Sequence, residues 1–462
     1  MARSEACEKA YRAYYSHDWA TCAREASAAL NQNPEDHEAL HAAGVAAMYA
    51  GDRGVATALF RMAIALDPKY QSAWNSLGIA HKKAARYGEA QKAWAEALLL
   101  NPTDAIVMSN MATVFANNGT PEMTEKWCRK ALEHDPGQSD ATRNLAFALL
   151  EQEKWQEGWE CFEARKVNQL GPIIRNYWPR GQTPLWDGSE GGTVVFYGEQ
   201  GVGDELLFAS MLGEAIARCK TAIVDCHPRL VQAFKRSFPG VMVQGTRKDV
   251  LVDWARDLGI THACAMGSLG RLFRNRNEDF PGTPYIVPDR EEVIRHRLGA
   301  SKLRVGISWA GGTADTYRDR RSTKLEQWLP ILRQNADFYS FQYDPDSAKQ
   351  CAALEESHGV RIKHFPGLVE CNDYDRTIAF AASMDLLITV SGTLFHVGGS
   401  LGVPTWCLTP SKVAWRYGRS GAASRWYGSA RMYRQPGDDW APAFARVTAD
   451  LANLGSVACA AE

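Results

Sequence analysis

Residues 385–408 read DLLITVSGTLFHVGGSLGVPTWCL. The apolar run ending at Val390 predicts a buried strand. Ser391, Gly392 and Thr393 then form a tight glycine turn, a short helix follows, and VPTWCL reads as the next strand. A glycine turn feeding a helix start is a ready anion site, because the first amide N–H groups point outward unpaired. The spacing is not GxGxxG, so the ordinary dinucleotide fingerprint is absent.

The same alternation extends upstream. From 193 the chain runs TVVFYG (strand), GEQGVGDE (glycine loop), LLFASMLGEAIARC (helix), TAIVDC (strand) and HPRLVQAFKRSF (helix). From 303 it runs LRVGISWAGG, then LEQWLPILRQ (helix), DFYSFQYD (strand), RTIAFAASM (helix) and DLLITV (strand). Alternating strands and helices imply parallel α/β sheets. The expected fold is therefore two Rossmann-like modules, 191–300 and 301–462. Ligands in such sheets sit beyond the carboxyl ends of the strands, where both glycine loops fall.

The first third has another period. Pro34, Pro68, Pro102 and Pro136 lie 34 residues apart, in NPED, DPKY, NPTD and DPGQ. Each marks a helix end, since the residue before proline avoids the α region. Ten residues on stand Gly44, Gly78, Ala112 and Ala146, and five before stand Ala29, Ala63, Ala97 and Ala131. Small residues at fixed offsets let two helices approach closely. Phe60, Trp94 and Phe162 recur at one repeat position, and Trp74 stands at another. This is the tetratricopeptide (TPR) pattern. Four to five repeats over 1–168 make an α-solenoid with degenerate ends that act as caps. A Gly- and Pro-rich stretch over 169–190, with Trp178 and Trp186, reads as a packed connector.

At 462 residues several domains are expected. A net charge of −1 gives no basic field for nucleic acid. No run approaches the ~20 apolar residues of a membrane span, and the N-terminus lacks the apolar core of a secretory signal. The 11 cysteines are odd in number and contain no CxxC, which fits reduced thiols in the cytoplasm. No His/Cys/carboxylate grouping has metal spacing, so neither a metal nor another cofactor is expected.

The motifs PLWDG, YGEQGVGDELLFASM, MGSLGRLF, VGISWAGG with a following RDRRS, FQYD, the stretch quoted first, and WRYG…RWYGSARMYRQ…DW occur in one order. Together they resemble the bacterial TPR-linked glycosyltransferases of GT-B fold, over most of the chain. GVGDELL and SGTLFH are similar, more distantly, to loops of the ADP-heptose heptosyltransferases. The overall plan resembles O-GlcNAc transferases and flagellin-modifying transferases. The resemblance implies a metal-independent enzyme moving sugar from a nucleotide-sugar donor to a protein hydroxyl, with the acceptor recruited by the TPR groove. Flagellin or another surface protein is the acceptor by analogy.

Such chemistry needs a base for the acceptor hydroxyl and positive charge or N–H donors for the departing phosphate. By the resemblance, Asp204 is the base and Glu199 the reserve carboxylate, with Gln200 orienting donor or acceptor. Asp204 reads equally as a helix N-cap. Ser391, Gly392, Thr393 and Leu394 form the phosphate loop. His396, one turn in, either touches the donor or packs between helix and sheet. Ser391 stands where the heptosyltransferase loop has aspartate. Arg321 and Lys324, from a basic run after WAGG, are candidates to neutralise the leaving phosphate; a solvated charge run is the alternative. Trp415, Arg416 and Tyr417 are expected to line the donor pocket, while Trp426 and Tyr427 pack. Asp344 and Asp346 form a DxD in YDPD, read as a loop. Asn110 and Asn144 share a repeat position and resemble the peptide-holding asparagine ladder of O-GlcNAc transferases; helix packing is the alternative. Competing readings are a glycan or lipid-linked acceptor, a nucleotide-sugar epimerase, and a partner-binding scaffold with a silent GT-B half. TPR arrays often self-associate, so a homodimer stays open.

Overall fold

A computed structural model describes residues 3–166, 183–246, 253–298, 302–312, 318–365, 367–369 and 374–459. The connector's 169–182, including Trp178, and residues 313–317 of the basic loop lie outside the described residues. The chain forms two compact units, Met1–Ala148 and Leu149–Glu462.

The first unit is a helical repeat array resembling a TPR solenoid. Its hairpins pair Glu5–Tyr15 with Trp19–Gln32, His37–Tyr49 with Arg53–Leu66, Gln71–Lys83 with Tyr87–Leu100, and Ala105–Asn117 with Pro121–His134. The residues before the four prolines, Asn33, Asp67, Asn101 and Asp135, are extended and end their helices. Asp18, Asp36, Asp52 and Asp104 cap the next helix by accepting a first-turn amide.

The alternation of small and large residues has a direct steric basis. A methyl group on Gly44 would lie 2.6 Å from the Phe60 ring, and one on Gly78 would lie 2.3 Å from Trp94 Nε1. Each ring fills the space that the opposing glycine leaves open. Where the ring is absent the equivalent pair is Cys128 and Ala112, both fully buried.

The unit boundary falls earlier than the expected 168. The last hairpin's second helix, Trp155–Phe162, packs inside the second unit. Trp159 Nε1 donates to the Arg274 carbonyl at 2.8 Å, and the Trp159 ring meets Trp415 edge-on at 5.4 Å. The helix keeps the repeat's period, but its apolar face is committed to the α/β half. Periodicity reports that a face is apolar and not what covers it.

The second unit holds two parallel sheets. The first contains β1 (Thr193–Tyr197), β2 (Thr221–Asp225), β3 (Met242–Gln244) and β4 (His262–Ala265), in the order β3-β2-β1-β4. The second contains β5 (Arg304–Ser308), β6 (Asp337–Ser340), β7 (Ile362–Lys363), β8 (Leu386–Val390), β9 (Thr405–Thr409) and β10 (Ala430–Arg434), in the order β10-β9-β8-β5-β6-β7. All pairings between these strands are parallel, as in a Rossmann-like fold. In each sheet the chain works outward from its first strand, then returns to that strand's other side. The switch points therefore lie between β1 and β4 and between β5 and β8. The end of the connector packs as expected: Trp186 is buried, meets Phe196 edge-on, and donates its backbone amide to the Ala263 carbonyl.

Gly78→Ala should overpack the Trp94 contact and cost about 1–3 kcal/mol of unfolding free energy. Gly78→Ala/Trp94→Cys, which recreates the Ala112–Cys128 pairing, should show a smaller loss from adding the alanine to Trp94→Cys. Denaturant titration of the four proteins checks this as a cycle.

Candidate functional site

The carboxyl end of β1 leads into Gly198–Gly201 and the helix Val202–Ala209. Gln200 takes φ +61°, a left-handed conformation uncommon for a side-chain-bearing residue, and its side chain is exposed. The carboxyl end of β8 leads through Ser391 and Gly392 into the helix Thr393–Leu401. Gly392 caps that helix without a side-chain bond, so its first-turn N–H groups have no capping acceptor from it. The two helices meet at their starts. A methyl on Gly203 would lie 3.1 Å from His396 Cδ2 and 3.5 Å from Thr393 Cα.

A third loop joins them from the end of β5. A methyl on Gly311 would lie 3.5 Å from the Ser391 carbonyl oxygen and 3.6 Å from Gly392 Cα. Arg321 Nε donates to the Gly311 carbonyl at 3.1 Å, fixing that guanidinium beside the loop. The second sheet's switch point is thus the meeting place of WAGG and SGT. GVGD comes to the same place from the first sheet.

Asp204 both braces its helix start and faces the site. Its Oδ2 accepts from the Gly201 amide at 3.1 Å, and its Oδ1 lies 2.9 Å from Arg416 Nη2. Arg416 comes from the turn Trp415–Tyr417 of the second module. The helix N-cap is Gly201, and Asp204 is its N3 residue, accepting back from the cap amide while its other oxygen meets Arg416.

Other expectations need correction. Glu199 is buried in a two-bond ion pair with Arg165, at 2.9 and 2.7 Å, and also accepts from the Gly267 amide at 2.8 Å. With both oxygens spent, it holds the first switch point closed and is no reserve base. Trp415 and Tyr417 do not line an open pocket; they are buried, Trp415 against Trp159 and Phe162. Only Arg416 of this trio faces the site. Trp426 and Tyr427 are buried as expected.

His396 is 3% exposed, and its ring lies between two phenols. Nδ1 is 3.0 Å from the Tyr427 hydroxyl and Nε2 is 3.4 Å from the Tyr417 hydroxyl. Burial, reinforced by the charges of Arg416 and Arg321, holds its pKa well below the ordinary imidazole value. A neutral imidazole with both nitrogens partnered braces the helix start, which favours the packing reading.

Lys324 is exposed and lines, with Trp309, Arg318, Gln342 and Asp344, a cavity of about 520 Å³ at the ends of β5 and β6. Gln342 is buried: its Oε1 accepts from Ser308, Trp309 and Ala310. Its Nε2 has no partner among the described residues. Asp344 pairs with Arg318, whose hydrogen bond holds its carboxyl below the usual range. The DxD is a loop, as expected. In the repeat unit Asn110 Nδ2 donates to Asn75 Oδ1 at 3.0 Å, and Asn75 also accepts from the Trp94 indole. Asn110 is therefore partly engaged in packing, and Asn144 is half-buried. Arg165, Gln342 and Asn75 were missed by sequence reading, because nothing local marks a long-range hydrogen bond.

No family model matches the chain. It is 26% identical over 452 residues to Protein FlbA of Caulobacter vibrioides, covering 92% of this chain and 74% of that protein. Among solved structures, MamA is 20% identical, with 34% of this chain and 91% of that one covered and a TM-score of 0.30. A thermophilic TPR protein of Thermus thermophilus is 18% identical over 35% of this chain and 89% of its own, with a TM-score of 0.32. YrrB, described as a TPR protein with an unusual peptide-binding site, is 18% identical over 35% of this chain and 84% of its own, with a TM-score of 0.29. Among the described residues no helix is long and apolar enough to cross a membrane.

Two outcomes test this geometry. Glu199→Gln removes the fully buried one of Arg165's two counter-charges and leaves Glu163, 2.8 Å from Nη1, so unfolding free energy should fall by about 1.5–3 kcal/mol. His396 is depressed in the folded state, so the unfolded chain binds a proton that the folded chain refuses. Its stabilising effect is full above about pH 6.5 and is lost as pH falls toward the folded value, at up to about 1.4 kcal/mol per pH unit. Denaturant unfolding of His396→Asn between pH 7 and pH 5 should show a shallower acid loss than the wild type.

Proposed function

We propose that the chain is a GT-B glycosyltransferase that moves a sugar from a nucleotide-sugar donor to a hydroxyl of a protein acceptor. The observation that supports this best is the meeting of GVGD and SGT at their loops, with Arg321 and Arg416 beside them. Outward amides at Thr393 and Leu394 suit the diphosphate or monophosphate of a donor. The two guanidinium groups supply the charge that a departing phosphate needs without a metal. The cavity at Gln342 is large enough for a nucleoside, and the spare Gln342 amide offers it a buried donor. Asp204 is the one carboxylate of GVGD and EQG not buried in another ion pair, so it is the base in this reading. The helical repeats suit a protein partner, which brings the acceptor hydroxyl to the site.

One observation favours a second reading, a partner-binding scaffold with a silent α/β half: Asp204 is itself held by Arg416. A thermal-shift panel of UDP, GDP, ADP, CMP and dTDP separates the two. A ligand at about 100 times its Kd adds roughly 2.7 kcal/mol of stability. One nucleotide should raise the melting temperature, and the shift should vanish in Thr393→Ala/Arg321→Ala. With the donor so identified, Asp204→Ala should abolish transfer and keep nucleotide binding. A flat panel would leave the scaffold reading standing.

A further inference from the structure

The arginine–carboxylate pairs of the second unit are of two kinds, two-bond pairs and single approaches such as Arg318–Asp344 and Arg431–Asp450. Arg165–Glu199, Arg236–Asp375 and Arg274–Glu214 are each two-bond pairs. Arg416–Asp204 is a single approach of 2.9 Å. Neither Asp204 Oδ1 nor Arg416 Nε has a hydrogen-bond partner of sound geometry among the described residues. Both side chains are only 18% exposed, so solvent repays little of that deficit. The pair is also the one that joins GVGD of the first module to the turn after β9 of the second, beside Thr393 and His396.

An under-bonded guanidinium next to a helix start is ready for a better acceptor. We infer that Arg416 is a transferable clamp: it holds Asp204 while the site is empty and passes to the phosphate of an incoming ligand. A phosphate offers Arg416 the two parallel acceptors that Asp204 does not. Its departure frees Asp204 Oδ1, while Oδ2 stays on the Gly201 amide and keeps the carboxylate aimed. Asp204 becomes available as a proton acceptor only after the anion is seated, so base and leaving-group charge are switched on together. No covalent step is involved; one ionic contact is exchanged for another. The inference rests on the proposed donor site and assigns Arg416 and Asp204 a competition within it.

The competition is measurable without turnover. Inorganic pyrophosphate is titrated calorimetrically into wild type, Asp204→Asn, Arg416→Ala and the double variant, each checked for a cooperative unfolding transition. Asparagine can still accept from the Gly201 amide, so the helix cap survives. Asp204→Asn should bind pyrophosphate roughly threefold to tenfold more tightly, because Arg416 no longer has to leave a carboxylate. Arg416→Ala should weaken binding at least about tenfold. In the Arg416→Ala background, adding Asp204→Asn should gain nothing. An equal gain with and without Arg416 would mean general repulsion between carboxylate and anion, and would overturn the clamp while leaving the donor site in place. Unchanged or weaker binding by Asp204→Asn would do the same. No pyrophosphate binding by the wild type would overturn both the clamp and the site on which it rests.

Discussion

The approach of Gly203 to Thr393 and His396 is the contact on which the second unit's arrangement depends. A methyl at Gly203 would lie 3.1 Å from His396 Cδ2 and 3.5 Å from Thr393 Cα, a tight fit that would push the ring by a few tenths of an ångström, so glycine lets two helix starts from different sheets share one spot without displacement. That contact brings GVGD against SGT and places Asp204 within reach of Arg416. The strand orders make it available. Each sheet reverses direction beside its first strand, and the crevice so formed is where loops can reach a ligand. In the first sheet, Glu199, Arg165 and the Gly267 amide occupy that crevice. In the second it is bounded by glycines and arginines. The two switch points share a topology and differ in use: one is filled by a structural ion pair, the other stays lined by backbone amides and positive charge.

Charge in this region is arranged by what is withheld as much as by what is present. His396 is kept neutral by burial, and its two nitrogens meet phenols rather than solvent. A protonated imidazole there would add to the charges of Arg321 and Arg416 and would have to be desolvated at a cost. Neutrality lets the ring serve as a spacer between helix and β9–β10 while the arginines carry the positive field. The Tyr417–His396–Tyr427 cluster, tilted on one side and edge-on on the other, also explains why the WRYG segment is aromatic around a single arginine. The rings are the mount on which Arg416 is presented.

The repeat array was legible because its constraints are local and repeated. Proline every 34 residues ends each helix by the geometry of the preceding residue, and the glycines opposite Phe60 and Trp94 are a steric necessity. The central strands of both sheets were legible from apolar runs at β1, β2, β5, β6, β8 and β9. The strands β3, β4, β7 and β10 were not. MVQ and IK are too short to show a pattern, HACA begins with histidine and has no β-branched residue, and ARMYR carries two arginines. Their strand state comes from edge-to-edge pairing with a neighbour already in place. The site was half legible. Glycine loops announce where backbone must come close, so GVGD and SGT stood out. Sequence does not say which of two nearby carboxylates is already taken, and Arg165, lying 34 residues before Glu199, removed that candidate.

Pairing also limits which residue could carry the proposed chemistry. A carboxylate acts as a base only with a lone pair free at the moment of reaction, and a guanidinium stabilises a leaving phosphate only if it is not bound elsewhere. Asp204 and Arg416 each meet the other's charge in the structure, so for the proposed transfer neither requirement is met while they are paired. An arriving anion meets both at once by displacing a single contact. The exchange gives up one single-bond ionic contact whose Asp204 Oδ1 and Arg416 Nε are otherwise under-bonded, while an arginine–phosphate pair with two parallel bonds is stronger. The direction of exchange therefore follows from the geometry of the acceptors rather than from any large movement of the fold.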